Sequence, residues 1–282
     1  MLKAAAILHH PQSEGALVFA RRMADGFRSE GIDVRLCDVW HADAPAAVDG
    51  VGLIVCVGGD GSVLRAARLA MLSGTPLLGV NMGRLGFLTD VGPDEVQQHL
   101  HDIHRESWRI EERVMVQATV DGDTAGVHHG LNDIVVSRRL AGRPIYVEVV
   151  IDGARMAIYR CDGMIVATPT GSTGYSLAAG GPILAPTEHH LVVTPVSAHL
   201  ALSRSIVLLP ESEVLLRVTS DHGAVLSIDG QDDIQIESGT SVQVRISPYR
   251  TRFVRFREPS SFYADLAQKL DIQISSPINH RA

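Results

Sequence analysis

The 282 residues carry 25 basic and 32 acidic side chains, a net charge of −7, and 45% hydrophobic residues, the profile of an ordinary soluble globular chain long enough for two domains and a sizeable core. The negative balance excludes non-specific attachment to nucleic acid or to an anionic membrane, although one local cleft can still be basic. Three scattered cysteines, Cys37, Cys56 and Cys161, give neither a disulfide framework nor metal-ligand spacing.

The opening "MLKAAAILHH" has too short an apolar stretch for a secretory leader, and no segment approaches membrane-spanning length. The expected address is a reducing cytoplasm. "KAAAILHH" predicts a strand, followed by a helix with Ala16, Ala20, Met23 and Phe27 on one face, stopped at Gly31. In "GIDVRLCDV", Ile32, Val34 and Leu36 alternate with polar neighbours as in a half-buried strand. "LIVCV" is a continuous apolar run suited to a central parallel strand. After the glycines, Val63, Ala66, Ala67, Ala70 and Met71 recur at helical spacing until Gly74. "PLLGV" predicts a further strand, and "PDEVQQHLHDI" a helix with Val96, Leu100 and Ile103 inward. Alternation of this kind is the signature of a doubly wound α/β domain.

Near Trp108 the pattern changes. Strands follow one another without helices, punctuated by Asp121-Gly122, Asp152-Gly153 and Asp229-Gly230, pairs that supply the positive φ of tight hairpins. The reading is a fold of two parts: a Rossmann-like α/β domain over 1–104 plus about 256–282, and a mostly antiparallel β domain over 105–255. "FYADLAQKL", with Phe262, Leu266 and Leu270 aligned, predicts a C-terminal helix that returns to the first domain.

Ligands of open α/β sheets bind beyond the carboxyl ends of the strands, where "GGDGS" (58–62) stands. It is neither GxxxxGK[ST] nor a dinucleotide fingerprint, since Leu64 occupies the third glycine position. Gly58, Gly59 and Gly61 allow close approach to the backbone, and the following helix offers free N–H groups, with the Ser62 hydroxyl, to phosphate oxygens. Asp60 would repel a phosphate there unless it faces another part of the substrate. A hydroxyl is the natural candidate, because a carboxylate can take its proton during phosphoryl transfer. The loop therefore points to a kinase acting on an alcohol. Aspartate is also favoured as a helix cap, and that alternative stands beside the first.

"DGMIVATPTGSTGYSLAAGGPIL" (162–184) runs from an apolar strand into a loop dense in hydroxyls and glycines, suited to a polar, phosphate-bearing ligand. Together with GGDG at 58–61, "LND" at 131–133, "PVSAHLALSR" at 195–204 and "IDGQ" at 228–231, the chain resembles the NAD kinase family over nearly its whole length. GGDG alone is shared with phosphofructokinases and with diacylglycerol- and sphingosine-type lipid kinases; the long second motif belongs to NAD kinases.

The resemblance implies transfer of the ATP γ-phosphoryl to the 2′-hydroxyl of the adenosine ribose of NAD, with Asp60 as general base and Gly61 beside it. Arg65, one helical turn on, would face phosphate, or else be a solvated helix charge. Asn132 and Asp133 resemble the family's ribose-binding pair. Thr170, Thr173, Gly174, Tyr175, Ser176, Leu177 and Ala178 would line the dinucleotide pocket, with Tyr175 giving an aromatic face to a base. Arg160 and Asp162, joined by Arg143, would contact the nicotinamide half across a subunit boundary in a homodimer or homotetramer. Gln231 would touch substrate, and His199 is a weaker candidate. Ser62 replaces the family's usual threonine, Gly174 a common alanine, and Ser205 a usual proline, so no role passes to Arg204. The resemblance also implies Mg2+ carried on the ATP phosphates with few protein ligands. The pairs His9-His10, His128-His129 and His189-His190 are poor chelators, since neighbours on a strand point to opposite faces. Two alternatives remain open: a lipid or sugar kinase built on GGDG, and a non-catalytic dinucleotide sensor.

Overall fold

The computed structural model describes residues 1–83, 86–123, 126–198 and 204–270. Its first part alternates β1 (Ala4–His9), α1 (Glu14–Ser29), β2 (Asp33–Asp38), α2 (Ala44–Val48), β3 (Leu53–Val57), α3 (Asp60–Ala70) and β4 (Leu77–Val80). The strands are parallel, in the order β2-β1-β3-β4, as the alternating pattern requires. Every residue of β3 is buried. α1 starts where Ser13 accepts the Ala16 N–H at 3.2 Å, buries Ala16, Ala20, Met23 and Phe27, and is followed by Gly31 at φ +80°, a conformation open mainly to glycine. α1 packs on one face of the sheet; α2 and α3 pack on the other.

The helix expected at 93–103 is two short ones, α4 (Pro93–Gln98) and α5 (Leu100–Arg105). His99 breaks it at φ −94°, ψ 4°, with its ring stacked 4.0 Å from that of Phe256. A tertiary contact thus overrides a continuous helical pattern. The five-residue α2 escaped the periodicity because it is barely longer than one turn.

The remaining elements are β5 (Arg109–Val120), β6 (Val127–Gly130), β7 (Asp133–Arg138), β8 (Ile145–Ile151), β9 (Ala154–Cys161), β10 (Gly163–Ala167), a 3-10 turn (Gly171–Thr173), α6 (Tyr175–Ala178), β11 (Leu191–Val196), β12 (Ile206–Leu208), β13 (Val214–Thr219), β14 (Ala224–Ile228), β15 (Asp232–Ile236), β16 (Ser241–Arg255) and α7 (Ser261–Lys269). Six strands form an antiparallel sheet in the order β12-β11-β10-β7-β14-β15. The others join the parallel strands in a ten-stranded sheet through β16. β16 runs antiparallel to β5 and β13, shifts register between Ile246 and Arg250, then meets β4 in parallel at Phe253–Leu77.

Alternating residues of β5, β7, β8, β10, β13, β14 and β16 interleave between the two sheets as one core. The Asp152-Gly153 and Asp229-Gly230 hairpins have positive φ at both residues, 50° and 79°, 53° and 64°, as a type I′ turn demands. α7 returns to the α/β part: the Lys269 ammonium lies over the Phe87 ring, and Arg257 pairs with Asp265 on its first turns. Its apolar residues do not form a buried stripe, since none of the helix is fully buried. Charge contacts hold it instead.

Candidate active site

Gly59 is the residue flanking the start of α3, and no side chain caps that helix end. Asp60 therefore does not act as a cap. Its carboxylate turns across the mouth of the sheet and accepts the Phe87 N–H at 2.9 Å and the Leu88 N–H at 3.1 Å. Gly86 lies directly beneath it, in space that a Cβ would need. The segment after β4 thus cradles the acid. A Cβ on Gly58 would come within 2.6 Å of the Ser62 hydroxyl oxygen, so that glycine answers to packing. Gly59 and Gly61 differ: a Cβ on either meets no heavy atom within 4 Å, and Gly59 has an ordinary extended φ of −97°. Among the described residues no contact or dihedral demands glycine there, and bare backbone at both positions leaves room for a ligand to approach. Among the described residues Ser62 Oγ is buried without a hydrogen-bond partner, and so is Arg65 Nε one turn further.

A second constellation meets this loop. The Gln231 side-chain amide donates to the Gly61 carbonyl at 2.7 Å, and Arg68 of α3 pairs with Asp232 of β15. The β14–β15 hairpin is thereby fastened to α3. At its tip, Asp229 accepts backbone N–H groups from Leu131 at 2.8 Å, Asn132 at 2.7 Å and Asp133 at 3.1 Å. These bonds shape the entry to β7 and aim Asn132 and Asp133 into a cleft of about 540 Å³ that they line with Val135, Tyr175, Ser227 and Gly230. That volume suits a small organic ligand.

Two carboxyl groups, Asp133 and Asp229, share this buried corner. Burial and the neighbouring Asp229 charge push Asp133 up to about 7. Burial raises Asp229 as well, but its three N–H donors and the Arg68 charge oppose the rise. Asp229 therefore keeps the negative charge, and Asp133 takes the proton first.

The Thr168–Pro182 block forms the wall above Asn132. Thr168 donates to the Leu131 carbonyl at 2.6 Å, and its backbone N–H to Asn132 at 2.8 Å. Gly171 sits against the Asn132 carbonyl where a side chain has no room. Ser172 Oγ bonds Pro169 at 2.6 Å, Thr173 Oγ1 bonds Thr170 at 3.1 Å, and Ser176 Oγ meets Thr194 at 3.0 Å. Most hydroxyls of the motif thus hold the loop in shape, while Thr170 Oγ1 is buried and has no partner among the described residues. Gly174, Tyr175 and Ala178 are exposed, and Leu177 is half-buried.

Other expected contacts lie apart. β7 and β10 pair Asp133 with Ala167 and Ser137 with Gly163, so Asp162, one residue further, stands at the far end of the cleft, about 16–17 Å along the strand, where it pairs with Arg138 at 3.2 Å. Arg160 and Arg143 are exposed, Arg160 on the outer face of the edge strand β9. His199 falls outside the described residues. The sequence reading missed Gly86, Phe87 and Leu88, although "NMGRLGFLTD" also places glycines just after a central strand. It also took Asp229 for a turn residue alone, because a hairpin signal and a buried carboxylate are written with the same letters.

The chain matches the family models of the ATP-NAD kinase N-terminal domain over 7–107 and of the ATP-NAD kinase C-terminal domain over 131–256. It is 38% identical to the NAD kinase of Chloroflexus aggregans over 273 residues, covering 96% of this chain and 99% of the relative. It is 41% identical to that of Symbiobacterium thermophilum over 267 residues, covering 94% and 92%. Among solved structures, the fold is similar to yeast NADH kinase complexed with NADH, at TM-score 0.86 and 20% identity, covering 98% of this chain and 90% of that one. It is similar also to an NAD kinase from Archaeoglobus fulgidus in complex with ATP, at TM-score 0.78 and 24% identity, covering 93% and 98%. By profile, by sequence and by fold, the chain belongs to the NAD kinase family.

Proposed function

We propose that this protein transfers the γ-phosphoryl group of ATP to the 2′-hydroxyl of the adenosine ribose of NAD, with Asp60 as the proton acceptor. The observation that carries the reading is the pairing of an oriented carboxylate with bare backbone: Asp60 is held by two N–H groups, beside Gly59 and Gly61, whose missing side chains nothing among the described residues requires. The 2′-oxygen attacks the γ-phosphorus, the bond to the β-phosphate oxygen breaks, ADP departs, and the hydroxyl proton passes to Asp60. The protein's share is positioning and charge, as in phosphoryl transfer generally. Gly59, Gly61 and Ser62, at the N-terminus of α3, would receive donor phosphates, with Gly58 keeping the turn tight and Arg65 adding positive charge.

In this reading the dinucleotide lies in the cleft of about 540 Å³. Asn132 and Asp133 meet ribose hydroxyls, Tyr175 stacks on a base, and Thr170, Thr173, Gly174, Ser176, Leu177 and Ala178 form the wall. Gln231 ties the β14–β15 hairpin to the glycine loop through the Gly61 carbonyl. Among the described residues no group of three or more His, Cys, Asp or Glu side chains could hold a metal, so magnesium is assigned to the substrate, as Mg·ATP. The exposed face of β8 and β9 carries Tyr146, Met156 and Ile158 beside Arg160. A second copy covering that face would bring Arg160 into a shared nicotinamide subsite, with Asp162 and Arg143 near it. No helix of the described residues is long and apolar enough to cross a membrane, and the three cysteines are free, which accords with work in a reducing cytoplasm.

The test is incubation of the purified protein with ATP, Mg2+ and NAD, followed by detection of NADP. Formation of NADP with ADP is the expected result. Phosphorylation of diacylglycerol or a hexose phosphate in place of NAD, or tight NAD binding without turnover, would overturn the reading.

A further inference from the structure

We propose that Lys269, at the C-terminal end of α7, is a positioning residue for Asp60: its ammonium clamps the ring of Phe87, whose backbone N–H holds the carboxylate. This inference rests on the reading of Asp60 as proton acceptor.

Lys269 Nζ stands 3.6 Å from the centroid of the Phe87 ring and is buried without a hydrogen-bond partner among the described residues. An ammonium group is strongly hydrated, so its burial requires compensating attraction. The ring face supplies one part. Asp60 supplies another: burial lowers the lysine's proton affinity, and the Asp60 charge is the foremost influence opposing that fall, ahead of Asp265. Asp265, one turn back on the same helix, would be the ordinary partner, but both of its oxygens accept from Arg257 at 2.8 Å. The lysine is left directed at Phe87 and Asp60.

The segment Gly86–Leu88 is a strap fixed from two sides. On one side Arg255 donates to the Leu88 carbonyl at 3.2 Å, and Asp90 accepts the Phe256 N–H at 2.8 Å. Lys269 secures the other side through the ring. Between them, the two strap amides set where the Asp60 oxygens point. Arg113, from β5, also interacts with the Asp60 charge, so the carboxylate lies between cations from two elements. A small displacement of the strap misaims the acceptor without touching the dinucleotide cleft, and misplacement of about 1 Å can cost about 100-fold in rate.

The test compares wild type, Lys269→Met, Lys269→Arg and Phe87→Leu in NADP formation, together with deuterium exchange at the Phe87 and Leu88 amides. Lys269→Met should lower kcat by about 10- to 100-fold with KM for NAD changed less than about threefold, and should speed exchange at both amides. Lys269→Arg should restore most of kcat, since guanidinium also stacks on a ring. Unchanged kcat and exchange in Lys269→Met, or a rise in KM with kcat intact, would overturn the inference. Should Lys269→Met fail to fold, Phe87→Leu carries the same test: it keeps the lysine and both amides, and must show the same loss and the same faster exchange. If wild type makes no NADP, the kinase reading fails. Exchange then judges the strap alone, with unaltered protection in Lys269→Met or Phe87→Leu counting against it.

Discussion

At the scale of single residues, the site is organised by carboxyl groups with distinct surroundings. Asp60 is met by two backbone amides, Asp229 by three, and Asp133 lies buried beside Asp229 with a pKa raised from 3.8 to about 7. A raised pKa means that the folded state prefers the proton. The stabilisation is full below the unfolded value and is lost as pH climbs toward the folded one. Urea unfolding should therefore show wild type losing stability from this group between about pH 4 and pH 7. Asp133→Asn, uncharged throughout, should show a smaller loss over the same interval. An unchanged pH dependence in the variant would remove Asp133 as its source. Because Asp133 lines the cleft, its protonated form can also donate a hydrogen bond to an acceptor there.

At the scale of elements, the site depends on α3 and the β14–β15 hairpin meeting across 170 residues of sequence, through Gln231 and the Gly61 carbonyl and through Arg68 and Asp232. A neutral hydrogen bond of this kind contributes about 0.5–1.5 kcal/mol. Gln231→Leu should thus raise KM for NAD by roughly two- to tenfold with a smaller change in kcat, measured by initial rates at saturating ATP. An equal fall in kcat at constant KM would place Gln231 in the chemical step instead.

Elements built on local pattern were legible: the stripe of α1, the apolar run of β3 and the Asp-Gly hairpins need no distant partner to be recognised. Those settled by tertiary contact were not. His99 interrupts a helical pattern by stacking on Phe256, and α7 is held by Lys269 and Asp265 rather than by its leucines. The site divides in the same way. The GGDG and Thr168–Pro182 loops announce a phosphate-bearing ligand by composition. The hydroxyls of the second loop nonetheless bond mainly to backbone carbonyls of the protein itself, and the cradle of Asp60 comes from a segment whose role appears only in three dimensions.

At the scale of the whole molecule, β16 joins the parallel strands to the antiparallel strands of the same ten-stranded sheet, and a buried charge network lies along that joint. Glu111 accepts from Arg113 at 3.0 and 2.8 Å and from Arg255 at 3.1 Å, while the ring of Phe253 packs against both guanidinium groups. Burial by itself would raise Glu111, but the two arginines outweigh it and hold the carboxyl at about 2. Burial and the charge of Arg255 lower Arg113 to about 10. A depressed acid stabilises the fold above its ordinary value of 4.5 and withdraws that support as pH falls toward 2. Glu111→Gln would leave the buried Arg113 without its anion and Arg255 with Asp90 alone, a loss of about 3–5 kcal/mol. Urea unfolding at pH 7 should show this loss, and the gap from wild type should narrow in acid. A gap that persists unchanged at low pH would show that packing, not charge, is what Glu111 provides. The same network backs onto Leu88 and Asp90, so this joint within the ten-stranded sheet also supports the strap that holds Asp60.

The most direct test of this account is the turnover of Asp60→Asn beside wild type at saturating ATP, Mg2+ and NAD, with NAD affinity measured on the same samples. Asparagine keeps the size of the side chain and cannot take the proton. The account predicts a kcat lower by about 100- to 10,000-fold with NAD still bound. A variant that binds NAD and forms NADP at close to the wild-type rate would contradict it.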